Sequence, residues 1–343
     1  MKQRILVIFG GCSGEHEVSL DSARAVLAHM DPARFTPLPV KITREGRWRY
    51  CPLTDLSAED WHETGCVPCT LSLDRGAPAL LLENGLRRLS FDAAFPVLHG
   101  PNGEDGTLQG LLELAGIPVI GCGALASALG MDKHRAHLLA SLAGVRVPRS
   151  QVFPRGAGLP EARQAAASLG WPVFVKPVRS GSSLGVSEVR GPEELPAALE
   201  AAFAEDREAL VEEAVPGFEV GCAILGNRVL TCGAVDEIQL GKGPLDYREK
   251  YLCRTAQVFC PARIPPEKAA EIQAAGRAVY RALDCRVFAR VDFFLTPEGD
   301  VVFNEINTIP GFTVHSRYPD MMKAAGLDFQ TLVTRLIELG VEA

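Results

Sequence analysis

The segment that most constrains this chain is Arg290-Val-Asp292-Phe-Phe-Leu-Thr-Pro-Glu-Gly-Asp-Val-Val-Phe-Asn-Glu305-Ile-Asn307. Two apolar runs flank Thr296-Pro-Glu-Gly, and Pro at the second position with Gly at the fourth suits a type I turn in a four-residue hairpin loop. If Thr296 faces Val301, Asp292 lies opposite Glu305 and Arg290 opposite Asn307, and the two-residue period puts all four on one face. Two carboxylates then confront each other across the strands, which is destabilising unless compensated. At ~4 to 5 Å the repulsion reaches several kcal/mol at an effective dielectric of about 20. Arg290 offsets part of it. The oxygens of Asp292, Glu305 and Asn307 form a hard set suited to Mg²⁺ that also holds substrate phosphates. The competing reading is a solvated polar face with an ion pair, which the apolar character of the rest of the hairpin weakens.

A second segment runs from Val173 through Lys176, Gly181, Ser182 and Ser183 to Gly185. A strand ends in a lysine and enters a Gly/Ser loop, whose N–H groups and hydroxyls can wrap phosphates while Lys176 neutralises them. A plain hairpin is the bland alternative. The G-x-x-x-x-G-K-[ST] and G-x-G-x-x-G orders are both absent, so neither a Walker loop nor a dinucleotide fingerprint is expected. Glu212 and Glu213 close an apolar strand, and Glu219 follows Pro216-Gly217 at a hinge where an adenine would slot; a surface charge pair is the alternative. Near the start, Gly10 to Glu17 joins a strand to a helix N-terminus, where Glu15 suits a substrate ammonium. His99 ends another strand on what should be the same, ligand-binding edge of the sheet.

The 343 residues carry 35 basic and 42 acidic side chains, a net charge of −7. That argues against nucleic acid, which clustered Lys and Arg would hold. Small-molecule partners are expected. Lys2 and Arg4 precede an apolar run, but Ile5 to Phe9 is shorter than a signal-peptide core, and no run approaches the ~18 residues of a membrane span. A cytoplasmic enzyme with no membrane partner is expected. The ten cysteines sit mostly in apolar runs and read as reduced thiols packed as small hydrophobes. Cys66 and Cys69 form an isolated C-x-x-C that does not suffice for zinc.

Strand and helix periodicities divide the chain into three units. Residues 1–122 alternate strands (5–9, 36–42, 91–97, 117–120) with helices (18–30, 107–114), giving a parallel α/β domain. Residues 123–215 form a small α+β flap. Residues 216–343 form a second α+β unit of strands pairing in sequence, with terminal helices and a mobile loop at 239–255, which is longer than most connections.

Together these motifs resemble the D-alanine:D-alanine ligase family of the ATP-grasp fold along nearly the whole chain. The likeness rests on Gly10 to Ser19, His99 to Gly110, Met131-Asp-Lys133, Lys176 to Gly185, Glu249-Lys-Tyr251, Arg290-Val-Asp292 and Asn304 to Ser316. It implies that Lys133, Lys176 and Ser183 grip ATP phosphates and that Glu212, Glu213, Val215 and Glu219 hold adenine and ribose. Asp292, Glu305 and Asn307 would carry two Mg²⁺, for which Mn²⁺ can substitute. Glu15, beside His99, would hold the ammonium of the first D-alanine, with Ser182 and Tyr251 linking it to the mobile loop. Arg290 and the Gly311 N–H would stabilise an oxyanion, and Lys250 and Ser316 would orient the second carboxylate. Lys250-Tyr251 matches the dipeptide-forming branch, whereas His315 to Pro319 resembles the vancomycin-resistance branch. D-alanine is therefore the expected second substrate and D-serine its rival. The resemblance also implies a homodimer. Another ATP-grasp carboxylate–amine ligase and a non-catalytic nucleotide-binding protein are the readings from other classes, the second opposed by the retained Arg290.

Overall fold

A computed structural model describes residues 2–53, 55–239, 257–313 and 315–342. Lys250, Tyr251 and all but Gln239 of the expected mobile loop lie outside them. The first sheet contains β1 (Gln3–Gly10), β2 (Phe35–Ile42), β3 (Trp48–Tyr50), β4 (Val67–Leu71), β5 (Ala79–Leu82), β6 (Arg87–Ser90) and β7 (Ala93–Val97). Their order is β6-β5-β4-β3-β2-β1-β7, with β1 parallel to β2 and β7 and the remainder antiparallel. The sheet is thus mixed where a wholly parallel one was expected: β3, β4 and β6 are short, mostly half-buried or exposed, and lack a clear apolar period, and β5 is a mostly buried run of only four residues. The expected strand at 117–120 reduces to one bridge, Ala94 to Val119. Helices α1 (His16–His29), α2 (Thr107–Leu114), α3 (Ala124–Met131) and α4 (Lys133–Leu142) follow.

Cys51 and Cys66 are joined in a disulfide, which corrects the expectation of ten free thiols. The cause is register: Tyr50 pairs with Val67, so the next residues along β3 and β4 face each other at a Cα separation of 4.2 Å. Cys69 remains a free thiol within β4.

The second sheet is antiparallel, in the order β10-β9-β11-β8: β8 (Ser150–Pro154), β9 (Val173–Pro177), β10 (Ser187–Val189) and β11 (Glu208–Glu213). Helices α5 (Leu159–Leu169) and α6 (Leu195–Glu205) cover it with small alanine-rich faces, which allow close approach.

The third sheet is formed by β12 (Phe218–Leu225), β13 (Thr231–Cys232), β14 (Asp236–Gln239), β15 (Gln257–Phe259), β16 (Phe288–Leu295) and β17 (Val301–Asn307), in the order β15-β14-β12-β16-β17 with β13 beside β12. Pairing is antiparallel but not sequential, since β12 is central. The helix α7 (Pro266–Ala282), not expected from sequence, packs on this sheet through Ile272, Gly276, Val279 and Tyr280. Its small glycine contact hides the apolar period. The chain ends in α8 (Arg317–Ala324) and α9 (Phe329–Glu342).

One core runs between the first and third sheets. Phe95 from β7, Phe288 from β16, Phe312 and Tyr318 meet edge to face or tilted, with ring centroids 5.5 to 6.2 Å apart. Each such buried ring contributes roughly 1.5–3 kcal/mol. Both termini therefore share this core, with α9 lying against α1. No helix among the described residues is long and apolar enough to cross a membrane.

Candidate active site

A cavity of about 1020 Å³ opens between the sheets. At one end, Glu15 precedes α1 and His99 ends the segment after β7, on adjacent parallel strands, so the shared edge expected from sequence is observed. The chain can leave β1 for α1 only because Gly10 and Gly11 take positive φ; a Cβ at Gly10 would sit 2.3 Å from the Ile42 carbonyl. Ser182 donates to Glu15 Oε1 at 2.6 Å, joining the second sheet's loop to the first sheet. His99 is buried, with Nδ1 3.0 Å from the Ile309 carbonyl and Nε2 3.3 Å from Ser22 Oγ. Burial drives its imidazole below the usual histidine range against the pull of Glu15. Because a carbonyl only accepts, Nδ1 carries the proton.

In the middle, Lys133 starts α4, donates to the Ser180 carbonyl at 2.6 Å and lies 3.7 Å from Glu305. Ser182 and Ser183 both adopt left-handed φ, at 54° and 57°. Successive residues of this kind make a concave set of backbone N–H groups that receives anions. At the far end, Lys176 on β9 meets Glu212 on β11 at 2.7 Å, as the β9–β11 pairing dictates. Glu213 faces the other way along the strand and is taken by Arg149 at 2.6 Å. Val215 and Glu219 line the same end.

The hairpin carries Asp292 opposite Glu305 and Arg290 opposite Asn307, as the sequence requires. The route differs. Leu295, not Thr296, faces Val301, and Gly299 donates to the Thr296 carbonyl, closing a three-residue loop with Gly299 at φ 89°. The register then shifts between Phe293 and Asp292, leaving Asn304 as an extra residue on β17. This bulge lets Phe303 enter the core while Asn304 and Glu305, the next residues, line the cavity.

Arg290 donates to both Asp292 oxygens at 2.7 to 3.1 Å, and Asn307 donates to Oδ2 at 3.1 Å. Arg317 adds a second cation, 3.3 Å from Asp292. Burial pushes the Asp292 carboxyl up, but Arg290 and Arg317 outweigh it and hold it below the usual range. Two carboxylates and an amide on one cavity wall fit a hard dication whose shell is completed by phosphate or water. Among the described residues no three His, Cys, Asp or Glu side chains make an all-protein cage.

Gly311 and Ser316 sit beside this wall. Phe312, anchored in the aromatic core, donates its N–H to Ser22 at 3.1 Å, and Ser316 Oγ accepts from Thr313 N at 2.9 Å. Sequence reasoning missed three residues here. Arg317 donates to both oxygens of buried Asp236 on β14, at 2.6 and 2.7 Å, and His137 on α4 lies against Glu212 at 3.7 Å. Each partner is distant in sequence; only the i, i+4 spacing of Lys133 and His137 on one helix face pointed to any of them.

Three antiparallel or mixed sheets closing on a cavity lined by Lys133, Lys176, Glu15, Asp292 and Glu305 have the architecture of the ATP-grasp carboxylate–amine ligases. Residues 4–122 match the family described as D-ala D-ala ligase N-terminus, and residues 139–338 the D-ala D-ala ligase C-terminus. The chain belongs to this D-alanine–D-alanine ligase family, whose members use ATP and a divalent metal on small-molecule substrates. It is 46% identical to the D-alanine–D-alanine ligase of Deinococcus radiodurans, over 100% of this chain and 99% of that one. It is 44% identical to the vancomycin B-type resistance protein VanB of Enterococcus faecalis, over 99% of each. It also superposes on the crystal structure of the VanG D-Ala:D-Ser ligase from Enterococcus faecalis with a TM-score of 0.92 and 48% identity, covering 99% of this chain and 100% of that one.

Proposed function

We propose that this chain joins two D-alanines, in the cytoplasm and as a homodimer, through an acyl phosphate made at the expense of ATP. The single cavity that holds Glu15 and His99 at one end, Lys133, Asp292 and Glu305 in the middle, and Lys176, Glu212, Glu213, Val215 and Glu219 at the other carries this reading. Its order matches a substrate ammonium, a triphosphate and a nucleobase laid end to end.

Lys133, Lys176 and the Ser183 backbone neutralise and position the phosphates. Glu212, Glu213, Val215 and Glu219 receive adenine and ribose. Asp292, Glu305 and Asn307 would hold two Mg²⁺, or Mn²⁺ in their place, which neutralise phosphate charge when bound. Glu15, oriented by Ser182 and flanked by His99, binds the ammonium of the first D-alanine so that its carboxylate attacks the γ-phosphorus and ADP leaves. Ser316, with Lys250, orients the carboxylate of the second amino acid, whose neutral amine then attacks the acyl phosphate. Arg290 and the Gly311 N–H meet the oxygen on which charge develops. The C–N bond forms, inorganic phosphate leaves, and the amine gives up a proton. By the family resemblance Tyr251, outside the described residues, would act with Ser182, and exclusion of water from the site would protect the acyl phosphate from hydrolysis.

A phosphate-release assay tests the reaction: D-alanine stimulates release and L-alanine does not. Equal response to both, or to neither, would overturn it. With D-alanine and D-serine in competition near neutral pH, the D-alanine dipeptide should show the higher kcat/KM; the reverse order would assign D-serine as second substrate.

A further inference from the structure

We infer that His137 is a positioning residue for this reaction: it pins the bulge that turns Glu305 toward the nucleotide and buttresses Glu212 beside Lys176. The inference rests on the nucleotide reading of the cavity given above.

A bulge leaves one residue outside the ladder, and its buried carbonyl needs a donor from elsewhere. Here the extra residue is Asn304, and its carbonyl lies 2.8 Å from His137 Nε2. Since a carbonyl only accepts, Nε2 must carry a hydrogen. Phe303 meets the His137 ring edge to face at 5.6 Å, and the ring is only 3% exposed, so its orientation is set by packing. Without that hydrogen bond, the Asn304 carbonyl must turn toward water in the cavity or the strand must straighten, and either change loosens the bulge. In a regular strand Glu305 would share the side of Phe303, away from Asp292.

The other face of the ring meets the nucleobase end. His137 Nδ1 and Glu212 Oε2 are 3.7 Å apart, and both are buried without a hydrogen-bond partner among the described residues, while Glu212 Oε1 accepts from Lys176 at 2.7 Å. With Nε2 protonated in a neutral imidazole, two acceptors face each other. Stability alone does not explain this placement, because an apolar side chain would fill the space without leaving an orphaned pair. One imidazole on α4, which also carries Lys133, therefore bonds the hairpin and packs against the Lys176–Glu212 pair.

The test compares His137→Phe, His137→Asn and His137→Gln by calorimetric titration with ADP at several Mg²⁺ concentrations, no amino acid being present. Thermal unfolding and the KM for D-alanine are measured alongside. Gln keeps a donor at the reach of Nε2; Asn is polar but too short. The Phe and Asn variants should bind ADP about tenfold more weakly and need more Mg²⁺ for half-saturation, the loss expected when a buried acceptor is left unpaired. The Gln variant should recover most of this, and the D-alanine KM should stay within about twofold in all three. If the Phe variant does not fold, the Asn and Gln variants make the same comparison. Equal affinities in Asn and Gln, or a fall in unfolding temperature with unchanged ADP and Mg²⁺ dependence, would overturn the inference. Failure of the wild-type protein to bind ADP would instead overturn the nucleotide reading itself.

Discussion

An added methyl at Gly311 would lie 2.8 Å from Ser316 Oγ, well inside contact distance, and Ser316 is held there by Thr313. Gly311→Ala should therefore disturb the proposed oxyanion donor and the proposed anchor of the second carboxylate together. A drop in kcat/KM of at least about a hundredfold is expected, the scale of losing one such donor, with ADP affinity unchanged by titration. Cys232 presents a separate chemistry. It takes a hydrogen bond from Cys222 and an N–H from Arg277 at 3.1 Å, which bring its thiol down to about 6, whereas burial pushes Cys69 up to about 12 and Cys260 up to about 11. Only the thiolate is nucleophilic. Near pH 7 iodoacetamide should label Cys232 well before Cys69 or Cys260, with a rate that falls as pH drops through 6, read by peptide mass spectrometry. Equal labelling of the three would refute the Arg277 assignment.

At the scale of elements, the link from β11 to β12 is decided by Gly217. Its φ is 126°, and a Cβ there would sit 2.0 Å from the Leu295 carbonyl on β16. Gly156 also has positive φ, at 89°, but nothing lies within 4 Å of a Cβ. Gly156→Ala should cost about 1 kcal/mol from backbone strain alone. Gly217→Ala adds a backbone collision that must move β12 or β16, and a cost above about 2 kcal/mol is expected in denaturant titration. Similar losses at the two positions would show that the β11–β12 link yields freely. The bulge in β17 works at this scale too: one inserted residue reverses the alternation, so a core aromatic, Phe303, and a cavity-lining carboxylate, Glu305, coexist on one short strand.

For the whole molecule, burial of His99 has a consequence for stability. Its folded pKa lies below the ordinary 6.5, so between those values the unfolded chain binds a proton that the native chain does not. Stability is complete above pH 6.5 and falls as pH drops through that window, by up to about 1.4 kcal/mol per unit. His99→Gln should flatten the slope in denaturation curves taken between pH 5 and 7. Ligand linkage acts in the same way on the cavity between the sheets. ADP with Mg²⁺ at about a hundredfold its dissociation constant should stabilise the fold by about 2.7 kcal/mol. Glu305→Ala should lose most of that gain in a thermal unfolding assay while leaving the unliganded protein's melting temperature close to wild type.

What the residues determine by themselves is the local chemistry. Pro297 and Gly299 marked the hairpin that carries Asp292 and Glu305, and a strand ending in Lys176 before Ser182 and Ser183 marked a Gly/Ser turn, because turns depend only on near neighbours; the facing of Asp292 and Glu305 needed the bulge at Asn304 as well. Tertiary structure decided the rest. The disulfide of Cys51 with Cys66 needed the β3–β4 register, and α7 shows its buried face only once Gly276 lies against Cys222. Arg317 reaches Asp236 and Asp292, and His137 reaches the Asn304 carbonyl, across separations that no local pattern encodes. Those contacts exist because burying a charge or a bulged carbonyl demands a partner, and only the packed sheets determine which side chain is near enough to serve.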